Sequence, residues 1–200
     1  MAGADFMCIA HRGASSYAPE NTLAAFDLAL HMGIGHIELD VHCTSDGYVV
    51  VIHDDTVDRT TPGTGPVAHH TLAELRCLDA GAWFDAEFAG QRVPTLVEIL
   101  ARYGGRLHVH TEIKGRTVHL VQRTVDLVRH YDMTAQVTMT SFQQLRLQEV
   151  RRYAPELPTG WLVREVNQAT IAQARQLGVT QLCPLAQTVT PELVRHLHAQ

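Results

Sequence analysis

Short apolar runs alternate with amphipathic stretches of helical period along nearly the whole 200-residue chain. Phe6–Ala10 reads as a buried strand. Thr22–Met32 follows as a helix, with Leu23, Phe26 and Leu30 on one stripe and Gly33 just past its end. Ile37–Val41 and Tyr48–His53 read as strands on either side of the turn Thr44-Ser45-Asp46-Gly47. Residues 55–93 form an irregular excursion with one short helix, Thr71–Leu78, opened by Thr71 and Glu74 at capping-box spacing. Beyond it the alternation is regular. Helices are expected at Thr95–Tyr103 (a second capping box, Thr95 with Glu98), Thr117–Tyr131, Phe142–Tyr153, Thr170–Leu177 and Pro191–His198, the last capped by Thr190. The stripe of the second of these is Val118, Val121, Val125 and Val128. Strands are expected between them at Leu107–Ile113, Gln136–Thr140, Pro158–Leu162 and Gln181–Cys183.

Seven strands joined by helical crossovers predict parallel pairing and right-handed connections. A closed β/α barrel and a doubly wound open sheet share that rhythm, so the chemistry must decide between them. The length fits one domain, and 46% hydrophobic with 18% charged residues is ordinary for a soluble protein. A formal charge of −5 without a basic run argues against a protein that tracks nucleic-acid phosphates. A site that handles anions must then bring its own positive charge, as a metal or a few placed basic residues. Cys8, Cys43, Cys77 and Cys183 are scattered without a CxxC pair and read as small buried residues of a reducing compartment. Met1–Asp5 leads straight into a strand-like segment, so no signal peptide is expected. No apolar run reaches bilayer length. A cytoplasmic protein without a membrane span is the expectation.

In parallel barrels the working residues stand at the C-terminal ends of strands. Those places hold His11 and Arg12, Glu38 and Asp40, His53 and Asp54, Glu112 and Lys114, and Ser141. Strand alternation puts Glu38 and Asp40 on one face with Ile37, Leu39 and Val41 on the other. It likewise groups His108, His110, Glu112 and Lys114 against Val109, Thr111 and Ile113. Carboxylates facing an interior need a partner, and a hard divalent cation with oxygen ligands, magnesium or calcium, meets that need. A structural ion network of Glu38, Asp40 and Glu112 with Arg12 and Lys114 meets it equally well. His11 and His53, both at strand ends on the same rim, shift the balance toward chemistry. Phosphodiester cleavage needs one group to accept a proton and one to give it, and imidazole does both near neutral pH.

The remaining histidines carry the opposite presumption. His31, His36, His69, His70, His119, His130, His196 and His198 read as solvated, and His42, His108 and His110, which share the ionisable faces, as satisfied interior residues or as partners behind the site. Trp83 and Phe84 read either as a cap over a pocket or as aromatic packing of the excursion. Ser141 lacks a glycine-flanked elbow and reads as a cap for the helix that follows.

These residues resemble the glycerophosphodiester phosphodiesterases. The matching pieces are His11-Arg12-Gly13, Pro19-Glu20-Asn21-Thr22, Glu38-Leu39-Asp40-Val41, Asp46-Gly47, Val50-Val51-Ile52-His53-Asp54, Arg59-Thr60-Thr61, Val93-Pro94-Thr95-Leu96, Glu112-Ile113-Lys114 and Ser141-Phe142. They occur in family order over nearly the whole chain. The resemblance implies a parallel β/α barrel spanning residues 6–200, with residues 55–93 as an insertion at the mouth. It implies a Mg2+ or Ca2+ ion held by Glu38, Asp40 and Glu112, with Arg12 and Lys114 steadying the phosphate. His11 and His53 would be the acid–base pair, His11 as the first base. The substrate would be a small glycerophosphodiester, cleaved to glycerol 3-phosphate and an alcohol through a cyclic phosphate.

Two departures stand out. His110 occupies a place where the family often has Asn. The family pattern also continues past Thr190–Gln200 into an eighth strand and a final helix, so a barrel one strand short of closure is expected here. Three outcomes are open for that edge: a chain cut short of its full reading frame, a cover from a second copy in a homo-oligomer, or a gap filled by the terminal helix. A silent phosphate-binding or assembly module is the alternative to the enzyme. A relative acting on larger lipid phosphodiesters is disfavoured by the polar loops.

Overall fold

The structure is a computed structural model and describes residues 7–198, excluding the side chain of His198. Phe6, and the Met1–Asp5 segment on which the signal-peptide expectation rests, lie outside the described residues, as do Ala199 and Gln200. The first strand, β1, covers Ile9–Ala10. Next come β2 at His36–Cys43 and β3 at Val49–Val51. They are followed by β4 at His108–Ile113, β5 at Val137–Ser141, β6 at Thr159–Val163 and β7 at Gln181–Pro184. The sheet runs β1-β2-β4-β5-β6-β7, every neighbour on that path parallel. Sequential parallel strands joined by helices give the wall of a β/α barrel, open between β1 and β7. β3 corrects the expectation of uniform parallel pairing. It pairs antiparallel with β2, Val41 opposite Val51, and lies off the path. The turn Thr44–Gly47 is too short for a crossover, and a short connection between paired strands forces a hairpin. Gly47 sits there at φ 90°.

The helices are α1 at Leu23–His31, α2 at Leu72–Cys77, α3 at Leu96–Tyr103 and α4 at Leu120–His130. They continue with α5 at Gln144–Tyr153, α6 at Gln168–Leu177 and α7 at Pro191–His198. Both expected capping boxes form: Thr71 and Thr95 accept from the backbone of Glu74 and Glu98, whose carboxylates accept the cap N–H in return. Thr190 Oγ1 accepts from Leu193 N at the start of α7. α4 starts later than the pattern suggests. His119, at φ 68°, breaks the register, so Val118 is 71% exposed and Leu120 takes its place on the buried stripe. Among the described residues no helix is long and apolar enough to cross a membrane.

The main core lies between the sheet and its helices, built from Ile37, Leu39 and Val41 of β2, Val109 and Ile113 of β4, and the inner stripes of α1, α3 and α4. A second apolar cluster belongs to the excursion: Val50, Ile52, Val57, Val67, Leu75, Ala80 and Val93. β3 serves both, because Val49 and Val51 face the first and Val50 the second. Trp83, Phe84 and Phe88 pack edge to face within the excursion. The cysteines divide, and the uniform burial expected of them is corrected. Cys43 is buried and Cys183 half-buried, but Cys8 and Cys77 are exposed, and all four are free thiols.

Candidate active site

The inner face of the sheet carries the ionisable residues that alternation assigns to it. Asp40 and Glu112 are register partners across β2 and β4, and Glu38 stands two residues before Asp40. One oxygen from each of Glu38, Asp40 and Glu112 lies within 4.8 Å of the other two. Burial raises Glu38 well above the ordinary carboxylate range, and the charge of Asp40 adds to it. Burial also raises Glu112, partly offset by Lys114. Three carboxylates at this separation repel one another and call for positive charge.

The chain supplies some of it. Lys114 Nζ lies 3.1 Å from Glu112 and 3.7 Å from Asp40 Oδ1. Arg12 Nε lies 3.6 Å from Asp40 Oδ2, and the Arg12 backbone N–H donates to Glu38 at 3.0 Å. Arg12 reaches that position at φ 58°, in the left-handed region. Gly13 follows at φ 81°, where a Cβ would stand 2.7 Å from the Ala25 backbone, so only glycine fits. The ion-network alternative is thus present in part, but it leaves Asp40 Oδ1 fully buried without a hydrogen bond. A buried carboxylate oxygen without a donor is costly. An all-oxygen donor set with one orphaned anionic oxygen fits a hard divalent cation.

The histidines converge on the same cleft, about 890 Å³ in volume, lined among others by His11, Arg12, Glu38, His53, Glu112 and Lys114. His11 is exposed at the rim with Nε2 3.9 Å from Glu38. Partial desolvation and the Arg12 charge lower its pKa below the ordinary histidine value. His53 follows β3, and its Nδ1 stands 2.5 Å from Asp54. That contact engages Nδ1 and leaves Nε2 as the ring nitrogen not paired with Asp54.

Sequence reasoning missed the frame behind these groups. Asn21, at φ 56°, donates to Asp40 Oδ2 at 2.8 Å and so aims that carboxylate. Arg59 donates to Asp54 at 2.7 Å and to both oxygens of Glu20 at 2.9 and 2.8 Å, while Glu20 also accepts from Arg12 at 3.1 Å. Hydrogen bonds from Arg59, with a smaller part from His53, pull Asp54 down to about 2. Burial pushes Glu20 up, but its bonds to Arg59 and the charge of Arg12 outweigh that and hold it low. Arg59 and Glu20 fall within matched motif pieces, which was the available signal; nothing local told that they pair across 39 positions.

Among the other histidines, His36 departs from expectation. It belongs to β2 and points inward beside His108 and His110. Burial and the neighbouring rings of His108 and His36 push His110 down to about 4. His42 is buried and bonds through Nε2 to the His53 carbonyl at 3.2 Å. Ser141 Oγ donates to the Ile113 carbonyl and accepts from Gln143 N, closing the turn into α5.

The parallel β/α wall is shared with solved phosphodiesterase structures. The structure of an Oleispira antarctica phosphodiesterase in complex with the product sn-glycerol-3-phosphate superposes with a TM-score of 0.89 at 31% identity, covering 97% of this chain and 81% of that one. The model of the glycerophosphoryl diester phosphodiesterase family matches residues 11–200, and the chain belongs to that family. It is 40% identical over 94% of its length to the glycerophosphodiester phosphodiesterase of Caldanaerobacter subterraneus, covering 79% of that protein. It is 46% identical to the Bacillus subtilis protein YhdW over 78% of its own length, spanning 65% of that relative.

Proposed function

We propose that this protein hydrolyses small glycerophosphodiesters to glycerol 3-phosphate and an alcohol, with a divalent cation and the pair His11 and His53. The observation that carries the reading is that Glu38, Asp40 and Glu112 meet within 4.8 Å of one another at a cleft that Glu38, Glu112, His11 and His53 line. The relative from Oleispira antarctica, which holds the product sn-glycerol-3-phosphate, supports the substrate class.

Glu38, Asp40 and Glu112 would hold the ion, Mg2+ or Ca2+, which when bound polarises a phosphoryl oxygen as a Lewis acid. Arg12 and Lys114 flank the cluster and would steady the remaining phosphate charge. Neutral His11 takes the proton of the neighbouring glycerol hydroxyl as its oxygen bonds to phosphorus. His53, protonated at Nε2, gives its proton to the departing alcohol oxygen as the old P–O bond breaks. A cyclic phosphate results. In the second half the roles reverse: His53 takes a proton from water, the new P–O bond opens the ring, and His11 returns its proton to the glycerol oxygen. Asp54 keeps the His53 ring oriented, and Arg59 keeps Asp54 charged. In this reading residues 55–93 are an insertion at the mouth that contributes Arg59. The β1 and β7 edges would be covered by a second copy; sedimentation as a monomer at all concentrations removes that part alone.

A coupled assay for glycerol 3-phosphate, with and without chelator, tests the core. Turnover should vanish on chelation and return with Mg2+ or Ca2+. His11→Ala and His53→Ala should each lower kcat by about 10²–10⁴ while the ion still binds. Ion binding without turnover in the parent protein would make the chain a silent phosphate-binding module. Undiminished activity in both variants would end the two-histidine mechanism.

A further inference from the structure

A second set of ligand-capable side chains occupies the same inner face, nearer the starts of the strands. His36 and His108 are register partners at the beginnings of β2 and β4, and His110 pairs with Glu38 on the next inward rung. One ring nitrogen from each of His36, His108 and His110 lies within 4.8 Å of the other two. His36 Nδ1 and His110 Nε2 are 3.4 Å apart. The three ring centroids stand 5.0, 5.6 and 5.0 Å from one another. His108 Nε2 meets Thr138 Oγ1 of β5 at 2.9 Å.

A hydrogen bond between His36 and His110 uses one nitrogen of each ring, and His108 brings a ring nitrogen within 4.8 Å of both other rings. A shared cation accounts for all three. Two nitrogens bound to a tetrahedral ion at about 2.0–2.1 Å stand roughly 3.3–3.4 Å apart, the separation His36 and His110 already have. The hydroxyl of Thr138 is the kind of outer partner that fixes the ring orientation of a ligating histidine. Imidazole donors favour zinc, cobalt, nickel or copper, whereas the oxygen cluster above favours magnesium or calcium.

We propose that His36, His108 and His110 form a transition-metal site, separate from the carboxylate cluster, that takes Zn2+ or a similar borderline ion through three imidazole nitrogens. Its fourth position is left to water. The ion ties β2 to β4 at the base of the sheet. It also sits under the cleft floor, because His110 lines that cleft.

Cobalt(II) reports such a site directly, since tetrahedral nitrogen coordination gives strong visible absorption. The full chain, stripped by chelator, is titrated with Co2+ as parent, Glu112→Gln, His36→Gln, His108→Gln and Thr138→Val. Parent and Glu112→Gln should each bind one equivalent with the tetrahedral spectrum, displaced by Zn2+ but not by excess Mg2+. Thr138→Val should weaken binding by about 10–100-fold, as loss of an outer partner does, and the two histidine variants by more. His36 is half-buried at a strand start, so His36→Gln should fold, with far-UV circular dichroism as the check. Absence of the tetrahedral spectrum in the parent overturns the proposal. So does a spectrum lost in Glu112→Gln but kept in folded His36→Gln.

Discussion

The two faces of β2 and β4 differ more than any other pair of surfaces in the molecule. Outward, Ile37, Leu39, Val41, Val109 and Ile113 pack on helices and are essentially inaccessible. Inward, residues one step away in sequence are His36, Glu38, Asp40, His108, His110 and Glu112, which make two ligand-capable clusters. Both faces are formed by the same backbone and the same hydrogen-bond ladder. One holds the fold together, and the other gathers carboxylates that Arg12, Lys114 and Asn21 offset in part.

The sharpest way to test that division is to change adjacent residues. Asp40→Asn should lower turnover by at least about a thousandfold, because an ion that polarises phosphate contributes several kcal/mol. Its fold should persist in the presence of chelator. Leu39→Ala should do the reverse, costing about 2–5 kcal/mol in urea unfolding while the residual folded protein still turns over. Equal stability losses in the two variants would erase the contrast.

A smaller effect tests whether the inner face depends on its frame. Asp54→Asn should lower kcat by about a hundredfold with little change in KM, since it removes the carboxylate that holds the His53 ring. Arg59→Ala, one contact further out, should lower it by about tenfold. A larger loss in Arg59→Ala than in Asp54→Asn would mean that Arg59 meets substrate itself.

The smallest effect concerns pH. Burial and the Asp40 charge raise the pKa of Glu38 in the cation-free fold, so the folded state holds that proton more tightly than the unfolded chain. The stabilisation is complete below the unfolded value near 4.5 and fades as pH rises through the raised value. With chelator present, melting temperature should then fall across that window. Glu38→Gln should flatten the fall, and a divalent cation should reverse it. A parent protein that melts identically across the window, with and without the ion, would show the inner face to be electrostatically quiet.

Much of this contrast was legible in the chain. Period-two alternation placed Glu38, Asp40 and Glu112 on one face, and the Thr-x-x-Glu pairs located α2 and α3. What escaped were relations that no local period carries. The direction of β3 depends on a turn too short for a crossover. Val118 lost its place to Leu120 because His119 takes a left-handed conformation that a hydrophobic stripe does not announce. His36 looked like a loop residue because its segment, Gly33 to His36, begins with turn-forming residues; only its register with His108 turns it inward. The Glu20–Arg59–Asp54 chain joins side chains whose pairing only the folded backbone defines.

The excursion's separate apolar cluster has a dynamic corollary. His53 and Asp54 are flanked by Ile52 and Val57, members of that smaller cluster, whereas Asp40 and Glu112 are anchored by strands of the larger one. Small clusters open more readily than large ones, so amides near His53 should exchange with solvent faster than those of β4. On the proposed mechanism, warming should then cost turnover through His53 while Glu38, Asp40 and Glu112 keep their places, a loss of activity that precedes melting.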